Sequence, residues 1–399
     1  MRGIIRARRA TTVEGMNTLS SRILPLAAVL SAAFALVSAV WLWRPAWNGF
    51  DSTDQLPAEL LLDPDRLPVL GLGLGLLGAV AAVIAVSYDS TDRTRPQWLL
   101  PLAAVLTVGA MSLIGTQSIA AAGYSLALVM PLIATVLLVQ VVRTGGRGRW
   151  LALAGAGLLL VVSVLTGVLT SDSIEVFGLI GSGLLDQVPL LLVPTLLVAL
   201  ALTWTVVGVG AARDGGSLDR LAGWVLRHRT VITVVAALGP LPYALVRLTW
   251  FTPWKLLAPD TEIPVQMVLW GLLLSTGAWL GFFLTLGLVQ RWGEIFPRWM
   301  PFVSGRPVPV AAAAVPGGLV DTVVTASAVP FLMLSASRPW IDTVVGAVVF
   351  PFWLWGPALG LAVWGYVLHR QGGGRMTAVG TGRSAPVSEP ATSSRSSQR

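Results

Sequence analysis

The chain has 399 residues and a net charge of +8, with 55% hydrophobic residues and only 12% charged ones. Soluble proteins carry about 25% charged residues, so this composition argues against a water-surrounded core and for helices packed within lipid. The absence of cysteine excludes disulfides, thiolate metal sites and a cysteine nucleophile.

Taken in order, the chain opens with a polar, basic segment over residues 1–22, carrying Arg2, Arg6, Arg8, Arg9 and Arg22. Met16 is an alternative start. The first apolar run, 23–43, is longer than a signal-peptide core, so it reads as a retained span despite the small residues Val37-Ser38-Ala39. An acidic loop, 44–67, leads to a second span at 68–88. Its Gly71 and Gly75 have the G-x-x-x-G spacing that lets helix backbones approach closely. The same stretch also fits G-x-G-x-x-G, but it lacks the preceding strand that a dinucleotide site requires.

Further spans are expected at 98–116, 124–142, 150–170 and 188–210, with a short interfacial or re-entrant piece at 176–185. The loop 211–229 carries Arg213, Arg220, Arg227 and Arg229. Within it, Leu218 to Leu226 reads as a short surface helix with Ser217 as its N-cap. The last four spans fall at 230–250, 265–290, 307–334 and 341–368. From residue 370 to 399 the chain is polar and glycine-rich, and reads as a disordered cytosolic tail. The organisation is thus an N-terminal segment 1–22, a transmembrane domain 23–369 and the tail.

With the N-terminus in the cytosol and sides alternating, the outer loops hold only Arg44, Arg66, Lys255 and Arg338 as basic residues. All the others except Arg247 fall on the cytosolic side. That is the positive-inside pattern, and it predicts an all-α polytopic bundle of about ten transmembrane helices with both termini cytoplasmic. It also accounts for the net charge without nucleic acid. Many of the 17 tryptophans lie near predicted span ends, where an amphipathic ring is at ease. The run Leu36-Val37 with Trp41, Trp43 and Trp47 is echoed by Leu245-Val246 with Trp250 and Trp254, a faint sign of parallel repeats.

Two charges sit inside apolar spans, Arg247 in the seventh and Asp321 in the ninth. Charges there are costly and mark function or a partner. Their similar depths allow an ion pair, while Arg247 also lies close enough to the outer surface to snorkel. Gly239-Pro240-Leu241-Pro242 precedes Tyr243, Arg247 and Trp250, which share one helix face. Pro316-Gly317-Gly318 precedes Asp321, and Thr325 follows one turn on. Two interrupted helices, each with a polar group past the break, point to a binding site between spans seven and nine. Its candidate residues are Asp321, Arg247, Tyr243 and Thr325, with no metal and no cofactor. The bland counterpart is a pair of packing kinks with a structural ion pair.

The leading function is therefore a permease-like or ligand-binding membrane protein, in which Asp321 takes a cation or proton and Arg247 is its counter-charge. A membrane enzyme acting on a lipid-linked substrate is the second reading. It would use the acidic outer loop with Asp51, Asp54, Asp63 and Asp65, because paired carboxylates can hold a divalent metal against phosphate. A structural membrane component is the third. The loop 290–306 combines arginine with tryptophan and suits anionic headgroups, and its Glu294 is placed to pair locally.

The run from Leu284 through Gln290-Arg291-Trp292-Gly293-Glu294-Ile295-Phe296-Pro297-Arg298-Trp299 to Pro301, with Tyr243 to Trp250, resembles runs in uncharacterised multi-pass membrane proteins of actinobacteria. The resemblance implies a plasma-membrane location and brings no activity with it.

Overall fold

The computed structural model describes residues 2–50, 56–89, 96–115, 188–250, 254–258, 265–297, 304–336 and 339–380, with Thr252 and scattered positions between 123 and 182. The expected spans at 124–142 and 150–170 and the piece at 176–185 lie essentially outside them. The described chain is helical. Its order is α1 (Arg2–Trp43), α2 (Leu67–Asp89), α3 (Leu99–Ser112), α4 (Val188–Asp214), α5 (Asp219–Arg227), α6 (Arg229–Leu238), α7 (Leu241–Thr249), α8 (Val265–Gly287), α9 (Val310–Ala336), α10 (Trp340–Val349) and α11 (Phe352–Gly380). Extended pairing among the described residues is confined to a bridge between Ile295 and Pro307.

Among the described residues, six helical stretches are long and apolar enough to cross a membrane: Ile23–Trp43, Pro64–Tyr88, Leu192–Asp214, Arg229–Thr249, Val310–Ala336 and Trp340–Gln371. Large side chains on them point away from the protein, among them Leu36 at 67% exposure, Val83 at 62% and Val231 at 62%. An apolar belt of that kind is costly in water and at home in lipid.

Helices α1 to α4 enclose one core around Phe34, Leu74, Leu99, Ala103 and Trp204. Gly75 brings α1 and α2 together, since a Cβ there would lie 2.5 Å from the Ala35 backbone nitrogen. The buried indole of Trp204 donates to Ser31 Oγ at 3.1 Å, tying α4 to α1. A second core joins α5, α6 and α11 around Val225, Ala236, Ala362 and Tyr366. Helix α9 packs along α11 and links the two, with Ala326 reaching into the first core and Ala313 and Ala314 against the second.

Three local expectations change. Ser217 does not cap α5. It closes the end of α4 instead, its backbone N–H and its hydroxyl both donating to Ala212 O, at 3.1 and 2.8 Å. Gly216, at φ 70°, makes the left-handed turn that brings Ser217 back over those carbonyls. Span seven is interrupted at Gly239 and Pro240, as the sequence predicts, but span nine is not. Helix α9 runs unbroken through Pro316 and Pro330. Each proline forfeits one backbone bond, and lipid offers no substitute for the rest, so the helix persists. Gly317 and Gly318 serve sideways contact rather than a break, receiving Val363 and Leu202. The third concerns the ends: α1 begins at Arg2 rather than near 23, the expected span 341–368 is divided at Phe350-Pro351, and α11 continues to Gly380 into the stretch expected to be a disordered tail.

Candidate functional site

The site is built on α9 and α11. Asp321 lies eleven residues past Val310, about 17 Å along the helix axis, and is flanked by Val320 and Thr322. Thr325 stands one turn further on, and its hydroxyl donates to Asp321 Oδ1 at 3.1 Å. Both side chains are half-buried. They face α11, which runs antiparallel and presents Gly356 and Gly360 at the same four-residue spacing. A Cβ on Gly360 would sit 2.7 Å from Asp321 Oδ2, and one on Gly356 would run into Thr325. The polar ridge of α9 therefore seats in a glycine groove of α11. Sequence reasoning missed this groove, although Gly356-Pro357-Ala358-Leu359-Gly360 carries the G-x-x-x-G signal in plain view.

Arg247 is placed elsewhere. Its Nε donates to Tyr243 Oη at 3.2 Å, and its guanidinium stacks over the rings of Trp250 at 4.1 Å and Tyr243 at 5.2 Å. The expected face of Tyr243, Arg247 and Trp250 is thus formed, and cation–π contact replaces a carboxylate. Arg247 also packs over Gly271 of α8, where a Cβ would be 3.1 Å from Nη1. It lies two residues from the end of α7, at the rim of its span. No ion pair joins it to Asp321. The arginine faces α8 and the aspartate faces α11, so similar depth along two helices does not bring the charges together. Between α7 and α9 an aromatic chain runs instead: Tyr243 packs on Phe350 at 5.0 Å, and Phe350 on Phe331 of α9 at 5.1 Å. The four predicted residues therefore make two clusters, Tyr243 with Arg247 and Asp321 with Thr325.

At the opposite, basic end of the bundle a polar clasp holds the segment between α8 and α9. Glu294 Oε1 lies 3.6 Å from Arg229 Nη2 and 3.2 Å from His369 Nε2. Arg229 also donates to Leu288 O at 2.7 Å. Tyr366 donates to Gly293 O at 2.8 Å, and Arg370 donates to Val308 O at 2.7 Å and Glu294 O at 3.1 Å. The sequence places a pairing group at Glu294, but its partners come from α6 and α11 rather than from its own loop.

The acidic loop before α2 holds no metal cluster among the described residues. Asp63 is spent on Arg66 at 3.6 Å, and both side chains are exposed. Asp51 and Asp54 lie outside the described residues. Set against known proteins, the chain matches no protein-family model, no curated protein and no solved structure.

Proposed function

We propose that the chain is a plasma-membrane protein of about ten spans with both termini in the cytosol, and that it works as a permease-like or ligand-binding protein for a proton or small cation held at Asp321. One observation carries this reading. A carboxylate sits deep in an apolar span with a threonine as its hydrogen-bond donor and no cationic side chain paired with it among the described residues. A bare carboxylate in hydrocarbon costs about 2.5–3.5 kcal/mol or more, and a bound proton or cation offsets that cost. Thr325 orients one oxygen, and the other is left against the open backbone of Gly360. The site thus lies between spans nine and ten, with Arg247 and Tyr243 forming a separate outer cluster. The charge asymmetry of the loops supports the orientation. The acidic-loop enzyme is the weaker reading, since Asp63 is engaged with Arg66.

The test uses proteoliposomes loaded with a pH-sensitive dye and carrying imposed proton, Na⁺ or K⁺ gradients. Asp321→Asn is expected to abolish proton or cation movement while the protein still inserts and purifies as a folded species. Wild-type protein that moves and binds none of these ions, or an Asn variant as active as the wild type, sinks the reading.

A further inference from the structure

Helix α5 has a surface that neither core absorbs. It follows the Gly216 turn and lies at the basic end, docked through Val225, which is fully buried against α11 beside Gly365. Leu218 and Ala222 share that inward face. On one flank Leu221 and Trp224 are left uncovered, at 40% and 42% exposure, and Leu226 is uncovered on the other, at 43%. His228 packs on the Trp224 ring at 5.0 Å and extends that flank. The outward crest carries Arg220 and Arg227, seven residues apart and so on one line along the helix. Both are exposed, and neither takes part in an ion pair among the described residues.

We propose that α5 lies flat in the cytosolic leaflet and that Arg220 and Arg227 hold the headgroups of anionic phospholipid. A nine-residue helix is marginal on its own, so α5 owes its order to what it docks against. Apolar flanks under a basic crest are the pattern of a helix lying in the membrane interface. A protein partner that took α5 as a groove ligand would need its apolar stripe, and that stripe is already spent on α11. What remains is two separate apolar flanks and a pair of cations at headgroup level, complementary to acyl chains and lipid phosphate. This inference stands apart from the reading of Asp321; it needs the bundle to sit in a bilayer, and its cytosolic side rests on the proposed orientation.

The chain has no cysteine, so a single Leu221→Cys substitution gives one clean labelling point. Placed in phosphatidylcholine nanodiscs, a spin label at 221 is expected to collide with oxygen more than with an aqueous nickel complex. A label at position 217 should show the reverse. A fluorescent acceptor at 221 should detect enrichment of trace labelled phosphatidylglycerol over labelled phosphatidylcholine. Arg220→Gln and Arg227→Gln should each lower that enrichment about fivefold, Arg→Lys should retain it, and high salt should remove it. Enrichment unchanged in the glutamine variants overturns the proposal. So does a label at 221 as open to nickel as one at 217. A label shielded from both reagents overturns it in favour of a protein covering the helix.

Discussion

At the scale of single residues, Asp321 is defined by what touches it. Thr325 supplies the hydrogen bond and Gly360 the close backbone. Thr325→Val keeps the volume and removes the donor. It should weaken ion binding by about 1–1.5 kcal/mol, close to tenfold, with folding intact, as read by the ion dependence of transport. Gly360→Leu puts a side chain where the carboxylate lies and should destabilise the bundle by about 1–3 kcal/mol, read from denaturant unfolding in detergent. If Gly360→Leu unfolds at the wild-type midpoint, the seating of Asp321 against α11 is wrong. Among the described residues Arg247 has no carboxylate partner; its guanidinium is held between a phenol oxygen and an indole face near the end of α7.

Between elements, the same device recurs with different chemistry. Helix α2 uses Gly75 to lie against α1, and α11 uses Gly356 and Gly360 to receive the polar ridge of α9. Small residues at helix contacts are the usual way to gain packing where lipid gives no hydrophobic drive. The clasp at the basic end works differently, by carbonyls and charges that fix the segment between α8 and α9. Glu294→Gln removes the charge that faces both Arg229, whose side chain is only 13% exposed, and His369. A loss of about 1–2 kcal/mol is expected, between the values for exposed and buried pairs. Faster proteolysis within 288–308 should accompany it. Unchanged protease resistance would show that the backbone bonds from Tyr366 and Arg370 suffice.

For the molecule as a whole, the proposed orientation rests on the sequence placing acidic residues in one set of loops and arginines in the other. Leu61, 88% exposed at the acidic end, and Arg306 at the basic end mark the two sides. Single cysteines at these positions should react with an impermeant maleimide in opposite patterns, 61 in intact cells and 306 only after permeabilisation. Reaction of both from one side would overturn the topology and with it the cytosolic placing of α5. The predicted repeat meets an asymmetry at this scale. Helix α1 is continuous over its run, whereas the corresponding segment is divided into α6 and α7, with Trp355 of α11 set against Gly239 at the break.

Hydropathy was legible because lipid imposes a one-dimensional rule of long apolar runs. From it the sequence by itself determined that the described chain is helical, roughly where most of its apolar helices run, and that Asp321 stands inside one of them; it missed the division of 341–368 into α10 and α11. It also marked the break at Gly239-Pro240, since a proline pair has a local effect. Tertiary structure alone decided which neighbour each face meets. It turned Asp321 to Gly360 and Arg247 to Gly271, kept α9 whole across Pro316, and sent Glu294 to Arg229 and His369. Depth along a helix follows from counting residues, but the direction a side chain faces depends on how whole helices rotate and pack, and apolar spans that are greasy all round carry no stripe from which to read it.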